Sequence, residues 1–239
     1  MTLRQSSQEF IASVLALRPQ NAVFDCDGTL WDADSGMEFF YWIIAQGMID
    51  KLTSEWALPR YLDYKAGKVD EETMCGEMVQ ICRGLSLAAV KDAARVFFRE
   101  KVEPRIFSDM LRLTLALRDQ GCRLWAVSSS NQWLIEIEAA PFGFQPENVF
   151  AAAVETENGV LTDRLICVPT GPKKASTLRQ HLDSPIDAVF GNSIHDLAML
   201  ELASHPFAVN PNPDLAAEAR KRGWRVYEPE KAAATQPRS

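Results

Sequence analysis

The chain has 239 residues, enough for one large domain or for a core domain with a smaller inserted one. Hydrophobic residues make up 47% of it and charged residues 24%, as in ordinary globular proteins that fold in water. The formal net charge is −7 and no Lys/Arg block occurs, which argues against nucleic acid or an anionic membrane surface as a partner.

The five cysteines are scattered and form no C-x-x-C pair, which favours free thiols in a reducing compartment over a disulfide framework or a zinc site. No run of 18 apolar residues occurs, so no membrane span is predicted. The apolar patch at residues 10–17 lacks a basic leader and a small-residue cleavage site, and we expect it to begin a helix. A cytoplasmic protein, monomeric or homodimeric, is therefore expected.

In chain order, short apolar segments alternate with helical periodicity. Strands are predicted at residues 22–24, 122–127, 187–190 and 206–209, with an Asn-Gly hairpin around residues 157–159. Helices are predicted at residues 107–117, 132–140, about 170–182, 197–203 and 214–222, and several more between residues 35 and 102. The tail from Glu228 is expected to be disordered.

Strands that alternate with helices predict an α/β fold with a doubly wound, parallel, Rossmann-like sheet. In such sheets ligands bind beyond the carboxyl ends of the strands. Asp25, Ser128 and Asn192 each follow a predicted strand. We therefore expect these three side chains to converge on one crevice.

The segment FDCDGTLW places Asp25 and Asp27 two residues apart at the end of an apolar run. Residues two apart on an extended strand face the same side, where two carboxylates repel each other. Such a pair can hold a divalent cation, or it can divide nucleophilic attack from acid/base catalysis. An ordinary turn is the alternative, since Asp and Gly are common turn residues.

Residues 25–30 (DCDGTL) resemble the D-x-D-G-T-[LV] signature of the haloacid dehalogenase-like (HAD) superfamily. Three further motifs follow in the family's order. Ser128 comes after the second strand, Lys174 or its neighbour Lys173 opens a helix, and a glycine-acid motif occupies residues 191–196. The resemblance covers residues 22–209 and is nearest to the phosphoserine-phosphatase-like branch.

The resemblance implies a phosphoric monoester hydrolase that requires Mg²⁺ and acts on a small phosphate ester. Asp25 would attack phosphorus to form an aspartyl-phosphate, and Asp27 would be the acid/base. Ser128 would hydrogen-bond a phosphoryl oxygen, and Lys174 would neutralise charge between the phosphate and the nucleophile. These roles agree with the physics of phosphoryl transfer, which depends mainly on positioning and charge neutralisation.

The remaining expected site residues also come from the resemblance. The metal is assigned to Asp25, Asp27, Asn192 and Asp196. Substrate and phosphate binding is assigned to Thr29, Ser129, Asp34 and Lys173. Most relatives have an aspartate where this chain has Asn192, and an amide brings no negative charge, so a lower metal affinity is expected.

Residues 32–105 have the size and helical character of the family's inserted α-helical cap domain, and residues 1–31 and 106–239 form the core domain. Asp34 falls where phosphoserine phosphatases place a glutamate for the substrate amino group, whereas their carboxylate-binding arginine is replaced by Gly76. Aromatic residues near Asp34 could hold an ammonium group. A phosphorylated amino-alcohol is therefore a candidate substrate, although most of these aromatics could simply pack the cap helices.

Three alternatives stay open. A phosphotransferase or mutase of the same superfamily would differ in the acceptor of the phosphoryl group. A haloacid dehalogenase is possible by superfamily, but Asp27 and the metal motif favour phosphate chemistry. A non-catalytic binding protein could keep the fold after losing a metal ligand at Asn192, although retention of the other motif residues argues against it.

Overall fold

The computed structural model describes residues 6–231. Its core is a seven-stranded sheet with strands β1 to β7 at Asn21–Phe24, Arg123–Asn131, Val149–Glu157, Val160–Cys167, Ile186–Gly191, Ala203–Val209 and Arg225–Tyr227. The core helices α1 and α6 to α10 span Ser7–Leu15, Ser108–Asp119, Gln132–Ala139, Pro172–His181, Leu197–Leu200 and Pro213–Arg222. The apolar patch at residues 10–17 thus begins as a helix, as predicted.

The strand order is β4-β3-β2-β1-β5-β6-β7, and every neighbouring pair is parallel except β3 and β4. From β1 the chain continues to β2 and β3 on one side and later returns to β5 and β6 on the other. The carboxyl ends of β1, β2 and β5 therefore meet at the point where the strand order reverses, which is where open α/β sheets bind ligands. The predicted doubly wound α/β fold is confirmed.

Alternating side chains of β1 divide the core into two layers. Ala22 and Phe24 belong to the apolar cluster that includes side chains of α1, α6, α7 and the helical insertion. Val23 belongs to the opposite cluster, with side chains of α8, α9 and α10. Both faces of the sheet are thus covered, and its edge at the ends of β1, β2 and β5 is left for polar groups.

The predicted helical insertion lies between β1 and α6. Its helices α2 to α5 span Ser35–Ala45, Lys51–Lys65, Glu71–Gln80 and Leu87–Phe97. Each begins after a side chain that accepts a backbone N–H of the first turn, namely Asp34, Asp50, Asp70 and Ser86. Such N-caps satisfy donors that a helix start otherwise leaves free, so the sequence itself determines where these helices begin.

The two segments that connect the core to the cap are hydrogen-bonded to each other through their backbones. The Asp32 amide donates to the Arg105 carbonyl at 3.0 Å, and the Phe107 amide donates to the Leu30 carbonyl at 3.0 Å. Arg105 also forms a bidentate ion pair with Glu38 of α2, at 2.8 and 2.6 Å. These contacts lie at residues 32 and 105, where the sequence predicts the boundaries of the cap domain. The division into two domains stays a prediction.

The β3–β4 hairpin confirms the Asn-Gly prediction. Asn158 and Gly159 both have positive φ, 50° and 79°, as the tight turn between twisted strands requires. The hairpin packs against cap helix α4, where a Cβ at Gly76 would lie 3.1 Å from the Leu165 side chain. Gly76 therefore faces the apolar hairpin.

Several predicted bounds differ from the structure. β2 continues through Asn131, so Ser128 lies within the strand and not in a loop after it. α9 ends at Leu200, because the chain then enters β6 at Ala203. The edge strand β7 was not predicted, since three residues carry too little pattern. β1 ends at Phe24, so Asp25 does not continue a regular strand.

The expectation of a disordered tail is wrong for its first residues. The Glu230 amide donates to buried Asp109 at 3.3 Å, and Lys231 forms an ion pair with Asp32 at 2.9 Å. Tyr227, just before this segment, also donates its hydroxyl to Asp109. The rest of the predicted tail, residues 232–239, lies outside the described residues. Within residues 6–231 no helix combines the length and apolarity needed to cross a bilayer.

Candidate active site

The loop after β1 fixes Asp25 at the closed end of a cavity. Its backbone amide donates to the Phe190 carbonyl of β5 at 2.8 Å, which ties the loop to the neighbouring strand. Its two carboxylate oxygens accept hydrogen bonds from Thr29 Oγ1 at 2.9 Å and from Lys174 Nζ at 2.6 Å. Asp25 is only 5% exposed, yet both of its oxygens are satisfied.

Lys174, in the first turn of α8, bridges two carboxylates. Its Nζ lies 2.6 Å from Asp25 Oδ1 and 2.6 Å from Asp196 Oδ1. Burial opposes its charge, but the two carboxylates outweigh burial and raise the pKa of Lys174 above its usual value. Burial and the charge of Asp196 together raise the pKa of Asp25 to about 7, although Lys174 opposes this shift.

The adjacent Lys173 points elsewhere. Its Nζ lies 2.5 Å from Glu72 in the first turn of cap helix α4, and both side chains are about half exposed. The sequence left open which lysine is the motif lysine. The structure directs Lys174 to Asp25 and directs Lys173 to the cap.

Asp27 is held by three donors at 2.7 Å each. Oδ1 accepts from the Trp31 indole and from the Ser35 amide, while Oδ2 accepts from the Ser130 hydroxyl. A Cβ at Gly36 would come within 2.3 Å of Ser130 Oγ, so a larger residue there would displace this donor. The end of β2 and the start of α2 therefore meet around one carboxylate.

The glycine-acid motif forms a tight loop after β5. Asp196 is fully buried, and its Oδ2 accepts the backbone amides of Asn192 and Ser193 at 2.9 and 3.0 Å. Its Oδ1 is engaged by Lys174, so neither oxygen of this predicted metal ligand is free. The Asn192 side chain lies beside the turn at Gly28, where a Cβ would be 2.0 Å from its amide nitrogen.

These groups surround a cavity of about 460 Å³ at the carboxyl ends of the strands. Six of the ten predicted site residues line it: Asp25, Asp27, Asp34, Ser129, Lys174 and Asn192. The other four lie outside this lining: Thr29, Ser128, Lys173 and Asp196. The convergence of Asp25 and Asn192 is as expected, whereas Ser128 is 2% exposed and its hydroxyl accepts the Ser130 amide at 3.1 Å.

The cap side of the cavity is acidic and aromatic. Asp34 lines it and caps α2 by accepting the Met37 amide at 3.0 Å. Burial and the neighbouring charge of Asp27 raise the pKa of Asp34 to about 6. Tyr61 and Tyr64 of α3 also line the cavity.

Glu71, the first residue of α4, adds a further carboxylate to this lining and contacts His195 Nδ1 at 2.5 Å. This contact, outweighing burial, raises the pKa of His195, so the imidazolium form is favoured beside Glu71. Glu71 was not predicted from the sequence, and neither were Tyr61 and Tyr64. The i, i+3 spacing of the two tyrosines, one turn apart on a helix, was the available signal.

The aromatic residues that were candidates for cation binding mostly pack the interior. Phe39 and Phe40 are buried in the cap, and Phe39 stacks on Trp42 with ring centroids 6.0 Å apart. Trp31 is fully buried and donates its indole N–H to Asp27 Oδ1. The packing alternative therefore holds for these side chains.

Residues 22–201 match the family model of haloacid dehalogenase-like hydrolases. The chain belongs to this family. The match confirms the predicted superfamily and the predicted hydrolase class.

A curated relative and two solved structures are similar to this chain over most of its length. The chain is 27% identical over 216 residues to a histidinol-phosphatase of Neisseria meningitidis serogroup C (strain 8013), covering 86% of this chain and 96% of that relative. A protein of unknown function from Bordetella pertussis Tohama I has a similar structure, with a TM-score of 0.78 at 22% identity, covering 87% of this chain and 98% of that one. A substrate-bound phosphoserine phosphatase shares the fold, with a TM-score of 0.59 at 15% identity. The similarity covers 87% of this chain and 92% of that one.

The two adjacent lysines of α8 allow a matched test of the buried ion pairs. Lys174→Met should lower the free energy of unfolding by about 3–5 kcal/mol, because it leaves Asp25 and Asp196 buried without a counter-charge. Lys173→Met removes an exposed pair and should cost no more than about 1 kcal/mol. Urea unfolding at about pH 7 measures both losses.

The same experiment at about pH 5 supplies the control. In Lys174→Met the raised pKa of Asp25 is no longer opposed by the lysine charge, so the folded state binds a proton that the unfolded state does not, and stability rises as pH falls. The loss in Lys174→Met should therefore shrink. Equal losses for the two variants, or a loss that stays the same at the lower pH, would contradict this account of the site.

Proposed function

We propose that this HAD hydrolase is a Mg²⁺-dependent phosphatase that cleaves a small phosphate monoester through an aspartyl-phosphate on Asp25. The observation that carries this proposal is the arrangement of Asp25, with both oxygens held by Thr29 and Lys174, beside an Asp27 fixed by three donors. The cavity of about 460 Å³ suits a small molecule. A cytoplasmic enzyme with no nucleic-acid or membrane partner belongs to the same proposal.

The proposed reaction has two steps on this chain's own residues. In the first, an Asp25 oxygen forms a bond to phosphorus while the ester P–O bond breaks, and Asp27 gives its proton to the departing alkoxide. In the second, Asp27 takes a proton from water as that water attacks phosphorus, and phosphate leaves Asp25. Lys174 supplies positive charge next to the nucleophile in both steps.

The oxygen atoms around the cavity are suitable ligands for magnesium. Asp25 would supply a carboxylate oxygen, Asp27 its backbone carbonyl oxygen and Asn192 its side-chain amide oxygen, and hard oxygen ligands of this kind suit Mg²⁺. Within residues 6–231 no group of three or more His, Cys, Asp or Glu side chains is arranged to hold a metal ion. When bound, Mg²⁺ would neutralise charge on the phosphate and on the carboxylates. Asp196, engaged by Lys174 and two amides, would support the loop behind Asn192.

The charges that line the cavity support an amino-alcohol phosphate as the substrate. Asp32, Asp34 and Glu71 line it in addition to the two motif aspartates. Asp32 is paired with Lys231 and Glu71 with His195, so Asp34 is the acidic group of the three without an ion-pair partner among the described residues. The basic side chains that line the cavity, among the described residues, are Lys174 and His195. Lys174 is committed to two carboxylates and His195 to Glu71, so neither is free for a substrate carboxylate.

The position that the resemblance aligned with a carboxylate-binding arginine, Gly76, faces the β3–β4 hairpin. The site therefore favours a substrate whose organic part is cationic and has no carboxylate. Histidinol phosphate has an amine and an imidazole but no carboxylate, and a relative is named histidinol-phosphatase. We take it as the first substrate to test, with Asp34 as the partner of its ammonium group.

Hydrolysis of p-nitrophenyl phosphate tests the proposed mechanism. The purified protein should release p-nitrophenol only with Mg²⁺, and Asp25→Asn should lower the rate by at least about 1,000-fold, the scale on which loss of a nucleophile acts. Asp25→Asn should stay folded, because burial already disfavours the charge of this carboxyl. Asn192→Asp should lower the Mg²⁺ concentration needed for half-maximal rate, since it adds a charged ligand.

Metal-independent release by the wild-type protein would sink the magnesium proposal, and full activity of folded Asp25→Asn would sink the nucleophile. Mass spectrometry of the p-nitrophenol assay mixture also identifies the acceptor. Inorganic phosphate is expected, and transfer to an added alcohol or sugar would favour the phosphotransferase alternative.

A substrate panel tests recognition of the amine. Histidinol phosphate should have a kcat/KM at least about tenfold above that of phosphoserine, and Asp34→Asn should raise its KM by about tenfold, the equivalent of roughly 1.5 kcal/mol for a charged hydrogen bond. Asparagine caps a helix as well as aspartate, so α2 should stay intact. Glycerol phosphate, which has no amine, serves as the control ester, and its KM should not change.

The preference for the amine ester should also increase as pH rises through about 6, where Asp34 becomes ionised. Both esters share the titration of the phosphate group, and the imidazole of histidinol phosphate titrates in the same way with the wild-type protein and with Asp34→Asn. The difference between these two proteins in the pH dependence of the KM ratio therefore isolates the effect of Asp34. Equal turnover of sugar phosphates, or an unchanged ratio in Asp34→Asn, would contradict the amino-alcohol assignment.

A further inference from the structure

Helix α7 carries a buried carboxyl group that the proposed reaction does not use. Glu138 has no exposed surface, and its Oε2 accepts a hydrogen bond from the Ser35 hydroxyl at 2.8 Å. Its Oε1 has no hydrogen-bond partner among the described residues. A buried carboxyl with a single hydrogen bond lowers stability, so its presence calls for a specific explanation.

The surroundings of Glu138 favour the neutral acid. Burial and the charge of Asp27 raise the pKa of Glu138 well above its usual value. Glu38 adds a second nearby negative charge, and Arg105, which opposes the shift, is engaged by Glu38 through two hydrogen bonds at 2.8 and 2.6 Å. Glu138 therefore accepts the Ser35 hydrogen bond in surroundings that oppose its negative charge.

Ser35 links Glu138 to the acid/base carboxylate. It is the first residue of α2, it is fully buried, and its backbone N–H donates to Asp27 Oδ1 at 2.7 Å. Its hydroxyl is held by Glu138 at the same time. Core helix α7 thus holds the start of the first cap helix at the residue that contacts Asp27.

We propose that Glu138 is a positioning residue, which keeps the Ser35 amide on Asp27 and thereby fixes the orientation of the acid/base carboxylate. The role of Asp27 rests on the proposed function, whereas the contact between Glu138 and Ser35 does not. The consequence depends on the leaving group. An alkoxide needs the proton of Asp27 when the P–O bond breaks, whereas p-nitrophenolate leaves without one.

Glu138→Leu and Glu138→Gln separate this role from a structural one. Leucine is of similar size but accepts no hydrogen bond, and glutamine keeps an acceptor without a charge. Glu138→Leu should change the melting temperature by only a few degrees, because the gain from removing a poorly satisfied buried carboxyl offsets the loss of the acceptor of the Ser35 hydroxyl. Glu138→Gln should have kcat values within about threefold of wild type on both kinds of ester, since it retains the hydrogen bond to Ser35.

The kinetic test compares the best alkyl phosphate of the substrate panel with p-nitrophenyl phosphate. For Glu138→Leu, kcat on the alkyl ester should fall by at least about tenfold, a part of the 100- to 10,000-fold that acid/base catalysis contributes. The first burst of p-nitrophenol should keep its rate within about threefold, and the steady rate that follows should be slow, because water activation also depends on Asp27.

Nuclear magnetic resonance gives a readout that does not depend on activity. In the wild-type protein the Ser35 amide proton, which is hydrogen-bonded to a carboxylate, should resonate downfield. Its chemical shift should move upfield in Glu138→Leu and should be close to the wild-type value in Glu138→Gln. The inference would be overturned if the burst rate of p-nitrophenol fell as much as kcat on the alkyl ester, or if the Ser35 amide did not move in Glu138→Leu. If the wild-type protein hydrolyses no phosphate ester, the proposed function fails, and the Ser35 amide then decides the inference alone.

Discussion

The site is organised around one buried ion triad. Lys174 lies 2.6 Å from both Asp25 and Asp196, and none of the three side chains has appreciable exposure. The triad joins the loop after β1, the start of α8 and the loop after β5, which are far apart in sequence. It carries more negative than positive charge, and Asp27 lies nearby, so the closed end of the cavity favours a bound cation. In the proposed reaction, a bound cation would offset the negative charge that raises the pKa of Asp25, and would so favour the ionised form needed for attack on phosphorus.

A second polar cluster joins the core to the cap around Asp27. Donors from three segments hold this carboxylate: Trp31 after β1, Ser130 at the end of β2 and Ser35 at the start of α2. The adjacent Lys173–Glu72 and His195–Glu71 contacts link α4 to the core on the other side of the cavity. The cap therefore contacts the same motif segments that carry the proposed catalytic groups. It also contributes Asp34, the residue proposed to select the organic part of the substrate.

The fold was predictable from the sequence, and six of the ten residues predicted for the site line the cavity, because the relevant signals are local. Apolar runs followed by Asp25, Ser128 and Asn192 are enough to place three strand ends at one edge of a parallel sheet. Lys173 and Lys174 could not be distinguished, because their directions depend on how α8 packs against β1. Glu71 and Glu138 were missed for a similar reason: each is an ordinary helical carboxylate until tertiary packing brings it to His195 or Ser35. Asp196 was expected at the metal, but packing commits it to Lys174 and the loop amides.

The most direct test of the account is detection of the covalent intermediate. Protein mixed with phosphate ester and Mg²⁺ is quenched in acid within milliseconds, digested and analysed by mass spectrometry, with Asp27→Asn used to slow loss of the phosphoryl group. The account predicts one phosphoryl group on Asp25 in the peptide that spans residues 25–30, and none in Asp25→Asn. A phosphoryl group on Ser128 or Ser129 instead, or product formation with no phosphorylated Asp25 at any time, would contradict it.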